Sequence, residues 1–435
     1  MKMDNRKKIR RDGDFVKILS NTAWMVFDRV FILALNLFVS VKIANYYGAM
    51  GYGSYQYAVN IIAVFEIVAT FVDGRVVKQR YMNYEPELVM LTATAVRVFL
   101  SGISVILGLL FLLTYGGSFS FSVMFFLLLL NMAAGSIKFG MANRFEYLLK
   151  SKKIVIASDI AVVAASLLQL LAVHGHRPVH VLALIALIST LISIGIVFLQ
   201  YRAEFGGHKG LRPDRDLAKE MIKESVPLAL AGSCSVLYAR CDSIMLGAML
   251  TSAEVGIYSV SVSLINVVQI AIAPIRESVY PKLIHLYEEN RPEYVRRYIQ
   301  ISSILTWIYI AGVSFSFVIL PYLFRFLNAE YAQAFPVYQI HVLGTFFMYN
   351  AALREGHFTL NHHGSVLTYS QFVSVCANVV MNLVGIRLWG IYGAAIATVI
   401  TQAASLMLSN LFFKEDGWEV LRWQLKAWNP VHIWK

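Results

Sequence analysis

Charged residues are scarce in this sequence of 435 residues. Asp, Glu, Lys and Arg together make up 15% of it, whereas an ordinary soluble domain has about 25%. The hydrophobic set reaches 58%, and the mean hydropathy is +0.61. So few charges cannot cover a water-exposed surface, and lipid must therefore cover part of the protein. This composition excludes a chain of ordinary soluble domains.

Cysteine is also rare. Cys234, Cys241 and Cys376 all lie in apolar runs. On a helix, Cys234 and Cys241 would be about 10 Å apart along the axis, which exceeds the reach of a disulfide. We expect no disulfide framework, no metal site and no cofactor. The absence of a nucleotide-binding motif also excludes an intrinsic ATP-driven pump.

The sequence does contain long runs of residues without any charge. A membrane-spanning helix needs about 20 largely apolar residues, and residues 98–137 form a run of 40 without Asp, Glu, Lys or Arg. The segment Tyr115-Gly-Gly-Ser in its middle predicts a turn, so this run is a helical hairpin. Ten further apolar stretches raise the number of expected spans to 12. The sequence therefore predicts an all-α polytopic membrane protein.

The 12 predicted spans divide into two halves. We expect an N-terminal lobe of six helices with a basic tail over residues 1–200, a charged connector over 201–223, and a second six-helix lobe over 224–413. Residues 414–435 form a tail that predicts an amphipathic helix lying on the membrane surface. Its apolar stripe, at helical spacing, consists of Trp418, Leu421, Leu425 and Trp428.

The basic residues predict the orientation in the membrane. Of 38 Lys and Arg, 31 fall on segments that share the side of the N-terminus, 3 fall on the opposite side, and 4 lie within spans. Because cytoplasmic loops carry the excess of Lys and Arg, both termini are expected in the cytoplasm. The net charge of +12 therefore reflects topology and attraction to anionic lipid, and does not indicate nucleic-acid binding.

A weak internal repeat relates the two halves. Residues 53–64 match residues 256–267 at an offset of 203, with Gly, Tyr, Val, Ile and Val in register. Chance matching of two apolar helices is the alternative explanation. Each stretch, however, opens the second helix of its own half, which favours a true repeat. Two related bundles around a midplane cavity are the usual plan of a secondary transporter.

Three local motifs carry a family resemblance. The first runs from Glu224-Ser-Val-Pro through Tyr238-Ala-Arg-Cys-Asp-Ser to Val255-Gly-Ile-Tyr-Ser. The other two are Gly48-Ala-Met-Gly-Tyr-Gly and Gly390-Ile-Tyr-Gly-Ala-Ala. Together with the 12-helix pattern, they resemble the O-antigen (Wzx-type) polysaccharide flippases of the multidrug/oligosaccharidyl-lipid/polysaccharide (MOP) exporter superfamily. The segment His176-Arg-Pro departs from the Gly/Ala pattern often found at that position.

The resemblance implies a function. A protein of this kind flips an undecaprenyl-diphosphate-linked oligosaccharide, such as an O-antigen or other surface-polysaccharide repeat unit, from the cytoplasmic to the periplasmic leaflet of the bacterial inner membrane. It works by alternating access between two V shapes, and a gradient of H⁺ or Na⁺ is a candidate energy source. Expected partners are the lipid bilayer, a polysaccharide polymerase and a chain-length regulator.

Two other functions compete with flipping. A MATE-like exporter of small cationic compounds would need a cavity dominated by acidic residues. A membrane glycan polymerase would need a large external loop, and all loops expected on the external side are short. We therefore expect a transporter and not an enzyme.

Charges inside the spans are the candidate site residues, because an ionisable group at membrane depth is costly. Arg29 and Arg240 occupy the equivalent helix of each lobe. With Arg97 they would bind a diphosphate through the guanidinium fork, and we place Asp242 in the same cavity. The alternatives are charge balance with the nearby Asp28 and Asp242, and snorkelling of Arg97 to the lipid headgroups.

Other charges have secondary roles in this hypothesis. Asp28, Glu66 and Asp159 in the N-terminal lobe are candidates for binding a coupling proton or sodium ion, or for pairing with the arginines. Arg354 and Glu355 end the tenth span and are read either as a gate contact or as an ordinary surface pair.

Overall fold

The computed structural model describes the backbone of residues 2–206 and 210–434, and the side chains of residues 31–206, 210–364 and 367–434. The described backbone is helical throughout, without a β-strand. Its fifteen α-helices are α1 (Lys2–Ala69), α2 (Gly74–Arg80), α3 (Pro86–Tyr115), α4 (Phe119–Gly135), α5 (Phe139–Tyr147), α6 (Ser151–His174), α7 (Val181–Phe205), α8 (Arg215–Met249), α9 (Ser252–Gln269), α10 (Ile272–Glu289), α11 (Arg291–Phe324), α12 (Ala334–Asn350), α13 (Arg354–Leu360), α14 (Gly364–Leu406) and α15 (Lys414–Lys426).

Twelve membrane spans can be counted in the described residues, as the sequence predicted. Eight stretches, built on α1, α3, α4, α6, α7, α9, α11 and α14, are long and apolar enough to cross a membrane. Both α1 and α14 contain a sharp kink and provide two spans each. The remaining two spans are α8, which carries several charges at its start, and α12, which is only 17 residues long.

Both kinks occur at a glycine. Gly48 divides α1 with a φ of 68°, and Gly390 divides α14 with a φ of 57°. Positive φ values of this kind are strained for a residue with a Cβ atom, so glycine is required at these two turns. Each kink replaces a loop and lets two consecutive spans follow each other almost without interruption.

The spans form two lobes. Helices α1 to α7 pack on one another in the first lobe, and α8 to α14 pack on one another in the second. We call the end of the bundle that carries α2, α5, α10, α13 and α15 the basic end, and the opposite end, where the chain turns at Gly48 and Gly390, the far end. The main contact between the lobes is made by the second half of α1 with α8 and α9.

The two lobes approach most closely at the far end. A Cβ atom built on Gly53 would lie 1.7 Å from the carbonyl oxygen of Ser252, and one built on Gly256 would lie 2.3 Å from that of Ala49. In the sequence repeat, with its offset of 203, Ala49 corresponds to Ser252 and Gly53 corresponds to Gly256. The equivalent residues of the two halves therefore contact each other across an approximate two-fold axis. We call this contact the glycine seal.

Polar contacts close the far end further. The side chain of Asn45 donates to the carbonyl oxygen of Phe326 at 2.5 Å, and its oxygen accepts from the backbone N–H of Asn328 at 2.9 Å. Tyr331 is fully buried and donates to the carbonyl oxygen of Ala44 at 3.1 Å. The far end is therefore shut by both apolar packing and hydrogen bonds.

At the basic end, the start of α8 packs against the first lobe. Asp214 caps this helix by accepting from the backbone N–H of Leu217 at 2.7 Å. Leu217 and Met221 then pack into an apolar cluster with residues of α2 and α3. Arg80 pairs with Glu224 beside this cluster. Asp214 thus marks the start of α8.

The tail helix α15 has two apolar faces. One is docked on the second lobe, where Val420 is fully buried and the indole of Trp423 lies 5.1 Å from the ring of Tyr298. The other is exposed and contains Trp418 and Leu425, at 53% and 46% exposure. The predicted amphipathic helix exists, and its placement on the membrane surface remains a prediction.

Candidate functional site

A cavity of about 470 Å³ lies in the first lobe, toward the basic end. Its walls come from the second half of α1, from α3, α4, α5 and α7, and from one residue of α8. Two of the predicted site arginines, Arg97 and Arg240, both line it. The structure therefore brings together residues that are 143 positions apart in the sequence and belong to different lobes.

Arg97 points into this cavity from α3. Its guanidinium lies 3.8 Å from the centre of the Phe139 ring, and its Nη1 donates a long hydrogen bond of 3.5 Å to the carbonyl oxygen of Ala69. Its Nε is buried and has no hydrogen-bond partner among the described residues. A buried guanidinium N–H without an acceptor is costly, so Arg97 is not held in place by a full set of hydrogen bonds.

Arg240 connects the two lobes inside the membrane. Its Nη1 donates to the side-chain oxygen of Asn60 on α1 at 3.1 Å. Asn60 is itself fixed, because it is 4% exposed and its amide donates to the carbonyl oxygen of Gln56 at 2.8 Å. Among the side chains that the structure describes, Asn60 is neutral and no carboxylate forms an ion pair with Arg240.

Lys138 is a further residue of this cavity, which its position in the sequence did not predict. Its ammonium lines the same cavity and donates to the hydroxyl of Ser193 at 2.9 Å. It was counted among the basic loop residues because it is the first charge after the long apolar run. Asn131 on α4 also faces the cavity, and its side-chain oxygen is buried without a partner in the described structure.

The charges of this cavity are mainly positive. In the part of the chain that the structure describes, Arg97, Lys138 and Arg240 line it against a single carboxylate, that of Glu66. Glu66 is exposed to the cavity, and it lies close enough to Arg97 to interact with it electrostatically. This arrangement can bind a multivalent anion through charge-assisted hydrogen bonds.

Asp242 does not lie in this cavity, although we expected it there. It is 7% exposed and sits inside the second lobe. Its carboxylate accepts from the hydroxyls of Tyr258 at 2.6 Å and Thr398 at 2.5 Å, and from the amide of Asn382 at 2.7 Å. Asp242 is two residues after Arg240, so it projects from another face of α8.

The surroundings of Asp242 form a polar network within a membrane lobe. Tyr258 also contacts the ring nitrogen of His341 at 3.5 Å, and Asn382 donates to Asn378 at 3.1 Å. No cationic side chain in the described residues forms an ion pair with Asp242. A buried carboxylate without such a partner is costly, so the three groups that donate hydrogen bonds to it must stabilise it or a cation must neutralise it.

Arg354 and Glu355 do not form a surface pair. Arg354 is 3% exposed, and its guanidinium donates to Asn410 at 2.6 Å and to Ser409 at 2.7 Å. Glu355 is exposed and approaches Arg276 at 4.0 Å. Both residues line a second cavity, of about 320 Å³, within the second lobe.

Three predicted residues are not part of the first cavity as described. The side chains of Asp28 and Arg29 lie outside the described residues. Asp159 lies on α6, half-buried, and does not line the cavity. Its predicted role in ion coupling remains a prediction.

The protein has two six-helix lobes, and charged side chains line a cavity between its membrane spans. This architecture is that of a multipass membrane transporter. The same fold is found in a multidrug resistance MATE family transporter of the MOP superfamily in an inward-facing conformation. That structure has 14% identity, covers 91% of this chain and 94% of its own, and superposes with a TM-score of 0.66.

The lipid II flippase MurJ in an inward closed conformation is similar at 13% identity, with 92% of this chain and 90% of that one covered and a TM-score of 0.65. The MATE multidrug transporter DinF-BH in complex with R6G is similar at 17% identity, with coverage of 90% and 94% and a TM-score of 0.61. These likenesses confirm the 12-helix fold.

Residues 18–287 match the family of polysaccharide biosynthesis proteins, and because this match covers more than half of the chain, the protein belongs to that family. The resemblance to MOP-superfamily flippases is thereby confirmed. A comparison with curated proteins found no match.

Proposed function

We propose that the protein flips an oligosaccharide linked to undecaprenyl diphosphate across the bacterial inner membrane. The observation that carries this proposal is the convergence of Arg97, Lys138 and Arg240 on one cavity. Membership of the polysaccharide biosynthesis family supports a glycan cargo, and the fold is shared with a protein named as a lipid II flippase.

The chemistry of the cavity fits a diphosphate better than a single negative charge. A diphosphate has several oxygens with partial negative charge, spaced so that more than one cation can bind at once. Arginine binds such groups with two parallel N–H donors, and lysine binds them as a point charge. The one hydrogen bond that Arg240 makes among the described residues goes to the neutral Asn60, which leaves other guanidinium donors of Arg240 available for the diphosphate.

The orientation we propose follows the distribution of basic residues, 31 against 3. The basic end then faces the cytoplasm, where the cargo is made. The cavity lies toward that end, and the far end is closed by the glycine seal. The described conformation is thus suited to receive cargo from the cytoplasmic leaflet, and opening the far end would release it.

We propose that the driving ion binds at Asp242. The sequence predicts this role for Asp28, Glu66 and Asp159; Glu66 lies on the wall of the cationic cavity, Asp159 is half-buried on α6, and the side chain of Asp28 lies outside the described residues. Asp242 is buried and lacks a cationic partner among the described residues, so a proton or a sodium ion would neutralise it. Asp242 and Arg240 lie on the same helix, α8. Neutralisation of Asp242 on one side of this helix can therefore change the contacts of Arg240 on the other side.

Flipping can be measured in proteoliposomes that contain a polyprenyl diphosphate carrying a fluorescent oligosaccharide, by quenching of the outer-leaflet label. We expect Arg240→Gln and Arg97→Gln to slow flipping about tenfold or more, since each removes a charge-assisted contact of about 1.5–3 kcal/mol. Arg387→Gln, at an exposed position of the far end, is the matched control. Unchanged flipping in both cavity variants would contradict the proposal.

Asp242 has its own test in the same vesicles. Asp242→Asn should remove the dependence of flipping on an imposed proton or sodium gradient, while Asp216→Asn, at a surface site of the same helix, should retain it. A gradient dependence that survives in Asp242→Asn would rule out this residue as the coupling site.

Export of small organic cations is the second candidate function. Glu66 favours it, since an exposed carboxylate on the cavity wall can bind a cation. Efflux of an organic cation dye from the same proteoliposomes would support this candidate. We expect no such efflux, because three cationic side chains among the described lining residues oppose it.

A further inference from the structure

The second lobe contains a cavity of its own. It has a volume of about 320 Å³ and lies between α8 and α14, with Arg354 and Glu355 toward the basic end. This volume is in the range of small-molecule sites. Neither Asp242 nor any residue of the first cavity lines it. It therefore needs an explanation separate from that of the cationic cavity.

Several side chains with hydroxyl or amide groups line this cavity, in a wall that is otherwise mainly apolar. Ser235 and Tyr238 come from α8, and Gln371 and Ser374 come from the first half of α14. Hydroxyl and amide groups inside a membrane lobe are costly to bury unless they are satisfied. Polar groups spaced along an apolar wall suit a ligand that has both hydrogen-bonding groups and apolar surface.

The hydrogen bonds already present show what these groups can still bind. The hydroxyl of Ser374 donates to the carbonyl oxygen of Ser370 at 2.7 Å, and that of Ser235 donates to Ala231 at 3.2 Å. Both hydroxyl oxygens keep lone pairs for accepting hydrogen bonds. The amide of Gln371 donates to Glu355 at 3.4 Å, which leaves its own oxygen as a further acceptor. Sugar hydroxyls are suitable donors to such acceptors.

Arg354 supplies fixed donors to the same cavity. Its Nε and Nη2 are held by Asn410 and Ser409, so the guanidinium plane cannot turn. Its Nη1 has no hydrogen-bond partner in the described structure. The cavity has one arginine and one glutamate among its described lining residues, so it has no net charge and does not favour a diphosphate over a neutral ligand.

The two cavities share one wall. On α8, Arg240 faces the first cavity, while Tyr238 and Ala239 face the second. Ser235 and Ala239 are exposed, so small side chains form the edge of α8 between the two cavities. A helix is about 10 Å across, and an oligosaccharide attached to a diphosphate in the first cavity can extend over that edge.

We infer that the cavity of the second lobe binds the sugar portion of the cargo, while the first cavity binds its diphosphate. This inference rests on the proposed function. The ligand class is an oligosaccharide of neutral or N-acetylated sugars. The division explains why three cationic side chains line the first cavity, whereas most polar side chains that line the second are neutral.

The test uses the full-length protein in nanodiscs and three probes: bare polyprenyl diphosphate, and the same lipid bearing a trisaccharide of neutral hexoses or of N-acetylhexosamines. We expect the wild type to bind at least one glycosylated lipid about tenfold more tightly than the bare lipid. Ser374→Leu, which fills the cavity, and Gln371→Ala should lose this gain and still bind the bare lipid normally. Val380→Phe, at an exposed position of α14, should keep it.

Arg240→Gln separates the two proposals. It should weaken binding of all three lipids by the same factor, because it acts on the diphosphate. Equal affinity of the wild type for bare and glycosylated lipids, or a sugar-dependent gain that persists in both cavity variants, would overturn the inference while leaving the proposed function intact. Failure of the wild type to bind any of the three lipids would instead overturn the proposed function, and this inference with it.

Discussion

The glycine seal offers a direct test of how the far end opens. In Gly53→Ala, the new Cβ would lie 1.7 Å from the carbonyl oxygen of Ser252 and 2.7 Å from the backbone nitrogen of Gly256. Both are backbone atoms and cannot rotate away. An ordinary contact between carbon and oxygen needs about 3.3 Å, so α1 and α9 would have to separate by about 1.5 Å.

The cost of this separation can be estimated. Overpacking of a tight contact costs about 1–3 kcal/mol, and the upper value applies here because backbone meets backbone. About 3 kcal/mol corresponds to a shift of roughly 100-fold in the equilibrium between a closed and an open far end. Gly256→Ala should act in the same direction with a smaller effect, since its nearest atom is 2.3 Å away.

Disulfide crosslinking can measure the closed population. Asn45→Cys and Asn328→Cys are introduced where each side chain is hydrogen-bonded to the backbone of the other residue across the lobes, in a background in which the three native cysteines are replaced. We expect rapid crosslinking with Gly53 present and slow crosslinking in Gly53→Ala. Gly102→Ala is the matched control, because a Cβ there would meet nothing within 4 Å. Equal crosslinking in Gly53→Ala and Gly102→Ala would refute this reasoning.

Three further predictions concern the cavity and the basic end. Lys138→Met should slow flipping of a diphosphate-linked lipid severalfold without changing thermal stability, measured in proteoliposomes and by melting in detergent; a normal rate would remove Lys138 from the site. Trp423→Ala should lower the free energy of unfolding by about 3–5 kcal/mol, whereas Trp418→Ala, on the exposed face of α15, should leave it nearly unchanged; equal effects would contradict the docking. Burial lowers the pKa of His357 from 6.5 to about 4, so the unfolded chain binds an extra proton between these values and stability should fall by about 3 kcal/mol as the pH drops through that window. In His357→Gln, melting curves should show a smaller loss of stability at acidic pH, and an unchanged loss would show that another group is responsible.

Much of the fold could be predicted because the membrane imposes strong rules on the sequence. The run of residues 98–137 has no charge, and only a helical hairpin can bury its backbone in lipid. The repeat at an offset of 203 predicted two related lobes, and the glycines that align in it meet in space. By contrast, Gly48 and Gly390 each interrupt the helical backbone at a single residue between two spans, and local composition does not reveal such a short connection.

The candidate site was harder to predict because it depends on helix rotation. Arg240 and Asp242 are two residues apart and both lie within a span, so charge alone could not separate their roles. The structure places one in the cationic cavity and the other in a polar network of the second lobe. Lys138 was missed for a related reason: its position just beyond a span hid the fact that its side chain turns back toward the membrane interior.

The glycine seal at the far end also bears on how this chain evolved. The contact between Gly53 and Gly256 has the same form as an interface between two identical subunits, in which each partner presents one surface patch to its copy. A duplicated gene that first encoded a symmetric dimer would leave this arrangement after fusion. The two glycines are then constrained as a pair, because a larger residue in either half strikes a carbonyl group of the other, and no change within its own half can relieve the collision.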